Sequence, residues 1–491
     1  MLREQVGVFF LVLTGFLLAY FAAPIAMSQD YFFYVLLIIG LCITVFFILP
    51  DSNSLLRGRV IKHSHLLILS VVIVGFQYPV DYVLGNSLSS DKSIWVDSVV
   101  ASKSLILSSI GLISFFIGYL TFSNSAKKIL NKSKIEPIYS TKRLNFFAFL
   151  TLSIYFYTVD PLYLAGGYIF ADVGSTAKYA ALAFNACILA LVVQVSRNCI
   201  NKNQEKNEVK FFQYLREFNF LTFLLVGVYL ISVMISGDRG PIITTILAFL
   251  GGYLSVSGKR YSLPTVIALI LSASFVMEVL GVARSYAFNS DLSFIDKIQA
   301  AYTEENSNAE KTISPLTKEL AGSINTLHYV VDYIPKQHDF LFGKFQIEQL
   351  ILAIPFSSRV YYLFWDEAEL RKYADISTFI TWIAQGEYPS YGNGSSLFAD
   401  FYVAAGVFGV IIGMIFAGWF MRRAEYIMYS RSSLPLFWYT LSIVYFSLSI
   451  YLGRSSFFEG LKLVVLVFIF LHINRAFSSK KSIAFKVVSK S

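Results

Sequence analysis

Long apolar runs separated by short polar connections organise this sequence. A helix rising 1.5 Å per residue crosses ~30 Å of hydrocarbon in about 20 residues. Twelve runs predict such helices: Val6–Ala26, Tyr31–Leu49, Leu66–Leu84, Ser104–Phe122, Leu144–Tyr157, Ala180–Val195, Leu221–Ile235, Ile242–Ser255, Thr265–Val282, Leu397–Phe420, Leu434–Leu452 and Leu461–Leu471. Four of them (Leu144–Tyr157, Leu221–Ile235, Ile242–Ser255 and Leu461–Leu471) are short for a full crossing. None alternates apolar and polar residues at period two, so barrel strands are set aside in favour of helices that satisfy their own backbone. The first run follows Arg3 without a clear small-residue cleavage site and soluble remainder, and reads as a retained helix rather than a signal peptide.

Composition sharpens the class. Hydrophobic residues make up 56% of the chain and charged residues only 14%, against ~25% charged in soluble proteins. So thin a polar shell excludes a cytosolic enzyme, a disordered chain and a fibrous one. The net charge of +9 then reports topology, not nucleic-acid binding. The N-terminus, the connections after the even-numbered helices and the C-terminal tail carry 25 Lys and Arg, while the opposite short connections carry six: Lys92, Lys103, Lys178, Arg239, Arg454 and Lys462. This unbroken alternation predicts an all-α polytopic membrane protein of about twelve transmembrane helices with both termini cytoplasmic. The organisation expected is helices 1–9 over 1–282, one large, partly helical periplasmic loop over 283–396, helices 10–12 over 397–476 and a basic cytoplasmic tail over 477–491. Cys42 and Cys187 fall inside helices and Cys199 on a cytoplasmic connection, so no disulfide framework is expected.

The large loop has the signs of structure. Asp291–Glu304 and Ser314–Ile334 show helical apolar spacing, and Phe345–Trp365 is apolar and aromatic enough to lie along the membrane surface or dip into it. Nine basic against fourteen acidic residues give the loop a net −5. A neutral-to-acidic glycan suits that surface better than a polyanion does. The plainer alternative is a cap that only covers the helices.

Arginines on the outer side run against the positive-inside trend. Three lie near helix ends: Arg239, Arg284 and Arg454. Gly237-Asp238-Arg239-Gly240-Pro241 forms a tight turn with proline at a helix start. Free amides and a guanidinium there suit an anion, and the diphosphate of a lipid-linked substrate lies at that depth. Snorkelling, or pairing with Asp238 and Glu459, is the alternative. Asp81 and Glu278 also lie near outer helix ends, whereas a transporter places its charges near the midplane, often in duplicated halves. No internal repeat is found. Walker loops, zinc spacings and Asp-x-Asp pairs are absent, and only His328 and His338 reach the outer side. No metal and no cofactor is therefore expected.

Two segments resemble the Wzy-type O-antigen and capsular polysaccharide polymerases. Ser236 through Leu247 is similar to the family's Gly-x-Arg-Gly turn opening a central helix. Tyr391 through Val410 is similar to the segment after its periplasmic loop, where a Gly/Ser stretch leads to an acidic residue, an aromatic and Gly-x-x-Gly. This chain has Asp400 where the family usually has Glu, and Ala404-Ala405-Gly406 where it has Asn-Phe-Gly. The resemblance implies a GT-C-like, inverting glycosyltransferase of the bacterial inner membrane. Such an enzyme moves a growing glycan from undecaprenyl diphosphate onto a single undecaprenyl-diphosphate-linked repeat unit. Its partners are these two lipid-linked substrates, membrane lipid and a possible Wzz-type chain-length regulator, with no nucleic acid. In that reaction Arg239, Arg284 and Arg454 stabilise the leaving diphosphate, with Gly237, Asp238 and Gly240 shaping the first site. Arg359 holds the second diphosphate, His328, Glu387 and Asp400 are candidate general bases, and Tyr391, Asn393 and Tyr402 contact sugar. The competing expectations are a lipid-linked oligosaccharide flippase, an O-antigen ligase, and a non-catalytic partner of the chain-length regulator.

Overall fold

A computed structural model of the chain describes residues 2–22, 26–48, 53–86, 95–121, 137–164, 174–202, 209–236, 238–262, 264–265, 312–314, 317–430 and 435–477. Its regular elements are helical. In order they are α1 (Leu2–Phe21), α2 (Gln29–Ile48), α3 (His63–Val83), α4 (Ser98–Thr121), α5 (Lys142–Thr158), α6 (Pro161–Leu164), α7 (Ser175–Lys202), α8 (Phe211–Leu215), α9 (Phe220–Ser236) and α10 (Gly240–Ser257). The large loop contributes α11 (Lys318–Ala321), α12 (Ile324–Tyr333), α13 (Lys344–Leu352), α14 (Ser357–Tyr361), α15 (Glu367–Tyr373) and α16 (Ile376–Gln385). The chain then continues through α17 (Leu397–Tyr429), α18 (Leu436–Leu448) and α19 (Gly460–Phe477). Eleven of the twelve expected spans coincide with helices. The run Thr265–Val282, and with it Glu278 and Asp291–Glu304, falls outside the described residues apart from Thr265.

Seven described helices are long and apolar enough to cross a membrane: α2, α3, α4, α7, α10, α17 and Phe457–Phe477. Val6–Phe21, α9 and α18 are shorter apolar helices. The chain is a multi-pass membrane protein. Two boundaries differ from expectation in ways that matter. Helix α7 runs past Val195 to Lys202, so Cys199 is helical and buried rather than on a connection. The region Ser314–Ile334 is two helices, α11 and α12, parted at Gly322–Ser323, where glycine is a poor helix former.

The chain divides into two compact units. One comprises 1–126, 260–425 and 448–462. Here α1 packs on α4, and α3 on α2 and α4. Helix α4 meets α17 backbone to backbone: a Cβ at Gly118 would collide with the Ile415 carbonyl, and one at Gly418 with the Phe115 carbonyl. Small residues permit this approach, as usual where lipid supplies no hydrophobic drive between helices. On the same helix, Ser104, Ser108, Ser109 and Ser114 are buried. The other unit comprises 127–259, 426–447 and 463–491. In it α5 lies along α7, α7 against α10, and α9 touches α5 and α10. Thr222 donates to Asn145 Oδ1 (2.7 Å) inside that unit.

Candidate functional site

The first unit contains a broken helix. In α17 the backbone leaves helical geometry at Ala405 (φ −159°, ψ 34°) and Gly406 (φ 62°, ψ −142°). Gly406 stands in the left-handed region, and a Cβ there would meet the Phe340 ring at 2.9 Å. Gly409 also has a reason to be glycine, since the Phe401 carbonyl lies against it across the break. Broken spans persist in membranes only where other groups satisfy the freed backbone. A strap from the large loop does this. Leu341 N–H donates to the Val403 carbonyl (2.9 Å), and the Tyr402 hydroxyl donates to the Ile334 carbonyl (3.2 Å).

The strap reaches the outer turn of α17 through Gln346. Its Nε2 donates to both the Asp400 carbonyl (3.1 Å) and Asp400 Oδ1 (2.8 Å). Asp400 is fully buried in the first turn of its helix, where the dipole favours an anion. The Phe457 amide faces the same carboxylate, and Oδ2 has no hydrogen-bond partner among the described residues. The helix start is set by Ser396, whose hydroxyl accepts from Ala399 N–H (3.3 Å). A second tie holds the loop at α3. Buried Asp81 accepts from Thr312 Oγ1 (2.7 Å), Ile313 N–H (2.5 Å) and Asn86 Nδ2 (2.5 Å).

Behind the strap, α13 buries Glu348 and packs against the 3-10 turn Phe457–Glu459. Tyr362 donates to Glu348 Oε1 (2.9 Å), while Oε2 has no partner among the described residues. Burial pushes this carboxyl up to about 7; Asp375 adds to the rise, and the Tyr362 hydrogen bond and Lys344 oppose it. The Lys344 ammonium lies over the rings of Tyr373 (4.1 Å) and Trp365 (4.5 Å). Ile347 and Leu350 on α13, Ile354 on the connection, Val360 on α14 and Leu363 in the 3-10 turn after it are all exposed. This hairpin therefore turns its apolar side out and its carboxylate in.

The other expected residues take varied positions. Arg454 closes a 3-10 turn, Leu452–Arg454, packed on α3, and pairs with Glu319 (3.6 Å) rather than with Glu459. Arg359 is exposed on α14, and Tyr391 and Glu387 are exposed near the end of the loop. Asn393 N–H donates to Thr381 Oγ1 (2.9 Å), and its buried side-chain nitrogen has no partner among the described residues. His328 is buried beside the Trp95 ring (5.8 Å), at the edge of a cluster with Phe32 and Tyr82. Tyr402 is buried, with its ring 6.0 Å from that of Phe340. Gly237 and Arg284 lie outside the described residues.

In the second unit, half-buried Arg239 precedes Gly240 and Pro241 at the start of α10. Asp238 Oδ1 accepts from Gly240 N–H (3.1 Å) and Oδ2 from the Tyr163 hydroxyl (3.4 Å). The chain's own carboxylate thus takes one amide of this helix start. Among the described residues no group of three His, Cys, Asp or Glu is placed to hold a metal ion. Sequence reasoning missed Gln346, Glu348 and Asp81 as organisers. The first two lie two positions apart on a helix that also carries Lys344 and Gln349.

A family model described as O-antigen polysaccharide polymerase Wzy matches residues 6–480. No curated protein and no solved structure matches the chain.

Proposed function

Because the chain belongs to the Wzy family of O-antigen polysaccharide polymerases, we propose that it polymerises undecaprenyl-diphosphate-linked repeat units. The reaction takes place at the periplasmic face of the bacterial inner membrane. The growing glycan leaves its carrier diphosphate and joins a single lipid-linked repeat, by metal-independent glycosyl transfer with inversion. Twelve spans with cytoplasmic termini, as the 25 to six distribution of Lys and Arg implies, put residues 283–396 on the periplasmic side.

The observation that carries this reading is the match along nearly the whole chain. The geometry supports it through a large loop bonded to a broken helix beside the buried carboxylate Asp400. Arg239, Arg284, Arg359 and Arg454 each bind diphosphate oxygens. A donor of this kind contributes ~2–4 kcal/mol to stabilising the charge that develops on the leaving group. Asp238 orients the Arg239 turn by capping it. The test is the purified protein in nanodiscs with a lipid-linked repeat. The wild type should yield a ladder of chain lengths, undiminished by a metal chelator. Arg239→Ala should insert normally and lose the ladder by at least about 30-fold in rate. A full ladder from that variant removes Arg239 from the mechanism.

A further inference from the structure

The buried carboxylate behind the strap has no role in the reading above. Glu348 faces inward on α13, yet only one of its oxygens is satisfied, by the Tyr362 hydroxyl. The cation closest in sequence, Lys344 one turn earlier, lies over aromatic rings and forms no ion pair with it among the described residues. Acidic and phenolic groups bear on it: Tyr361 at the end of α14, Tyr362 just after it and Asp375 just before α16. The turn packed against α13 carries Glu459, which has Lys462 as a nearby countercharge. Tyr361, Tyr362 and Trp365 are half-exposed and mutually packed, with ring centroids 5.4–5.9 Å apart. Of the three, Tyr362 is the one bonded to Glu348. Two residues before Glu348, Gln346 grips Asp400. The site is thus tied to the broken helix on one side and to the turn that follows Arg454 on the other.

We propose that Glu348 is the general base of glycosyl transfer, its unpartnered Oε2 receiving the proton of the acceptor hydroxyl. The assignment rests on the polymerase reading. The acceptor oxygen forms its bond to the anomeric carbon while the bond from that carbon to the diphosphate oxygen breaks. The bonding pair leaves with the diphosphate and the hydroxyl proton passes to Oε2. A carboxyl that titrates near neutrality is matched to this task. Neither expected rival on the loop is so placed, since His328 lies against Trp95 and Glu387 is on the exposed surface.

The experiment measures initial rates of chain extension against pH, using the full-length protein in nanodiscs with a defined lipid-linked repeat. The wild-type rate should rise through pH ~7 on ionisation of one group. Glu348→Gln should lower the rate at least about 100-fold and abolish that limb, with little change in KM. Tyr362→Phe removes a hydrogen bond that favours the ionised carboxylate, so the limb should survive and move to higher pH. An active wild type with Glu348→Gln within about threefold of it, or a limb unmoved in Tyr362→Phe, overturns the assignment. A wild type that never extends the chain overturns the polymerase reading instead.

Discussion

Gly406 shows how one residue sets the geometry of the site. Its left-handed φ and the Phe340 ring 2.9 Å from any Cβ oppose a side chain for two independent reasons. Gly406→Ala should lower stability by ~1–3 kcal/mol, read as a fall in thermal unfolding temperature in detergent. Gly15→Ala, where nothing lies within 4 Å of the added methyl, should leave that temperature unchanged. Gln346→Leu strands the Asp400 carboxylate, for ~1–3 kcal/mol, and Asp400→Asn in that background should recover part of the loss. Glu348 makes stability depend on pH. Its folded-state value near 7 lies above the ordinary 4.5, so the unfolded chain releases the proton first. Its contribution to stability is therefore fully present below pH ~4.5 and is lost as the pH rises through ~7, a dependence that Glu348→Gln should remove. Of these residues, Asp400 and the glycines after it were singled out in the sequence by the family resemblance. The roles of Gln346 and Glu348 were not legible, because polar residues mixed among apolar ones, as in Lys344–Leu352, read equally well as solvent-facing. His328, expected as a candidate base, is buried beside the Trp95 ring, a placement its sequence context did not indicate.

At the scale of elements, the hairpin of α13 and α14 inverts the usual pattern, with Ile347, Leu350, Ile354 and Leu363 outside and Glu348 within. An aqueous surface would not favour that arrangement. We propose that the outer leaflet covers it. Spin labels at Leu350 and Leu363 should relax faster with lipid-soluble oxygen than with a water-soluble nickel chelate, and the reverse preference would place the hairpin in water. The sequence predicted this segment's apolar character because composition suffices for that. It could not predict the break in α17, where the run is apolar on both sides and Phe340, which packs at Gly406, is distant in sequence. The end of α7 was misread because Arg197 and Asn198 look like loop residues. In the structure both are buried, with the Arg197 guanidinium 5.7 Å from the Tyr439 ring centre.

For the whole molecule, run length and charge alternation made the helical, multi-pass class readable, since both follow directly from the bilayer. The division into two units was not readable, because segments distant in sequence build each of them. Along α17, Gly406 and Arg422 are 16 residues apart, which is ~24 Å at 1.5 Å per residue. On the proposed topology, with Arg422 toward the cytoplasmic side, that length sets the break toward the outer side of a ~30 Å core. The topology is open to a simple check: alkaline phosphatase should be active when fused at residue 340 and inactive at residue 131. Growth of the glycan at its carrier end can be followed by giving a pulse of labelled lipid-linked repeat to purified protein already extending unlabelled chains. The account predicts a ladder in which the newest, labelled repeat lies next to the carrier diphosphate at every chain length. Label confined to single repeats, or moved across the bilayer without a new glycosidic bond, would contradict it.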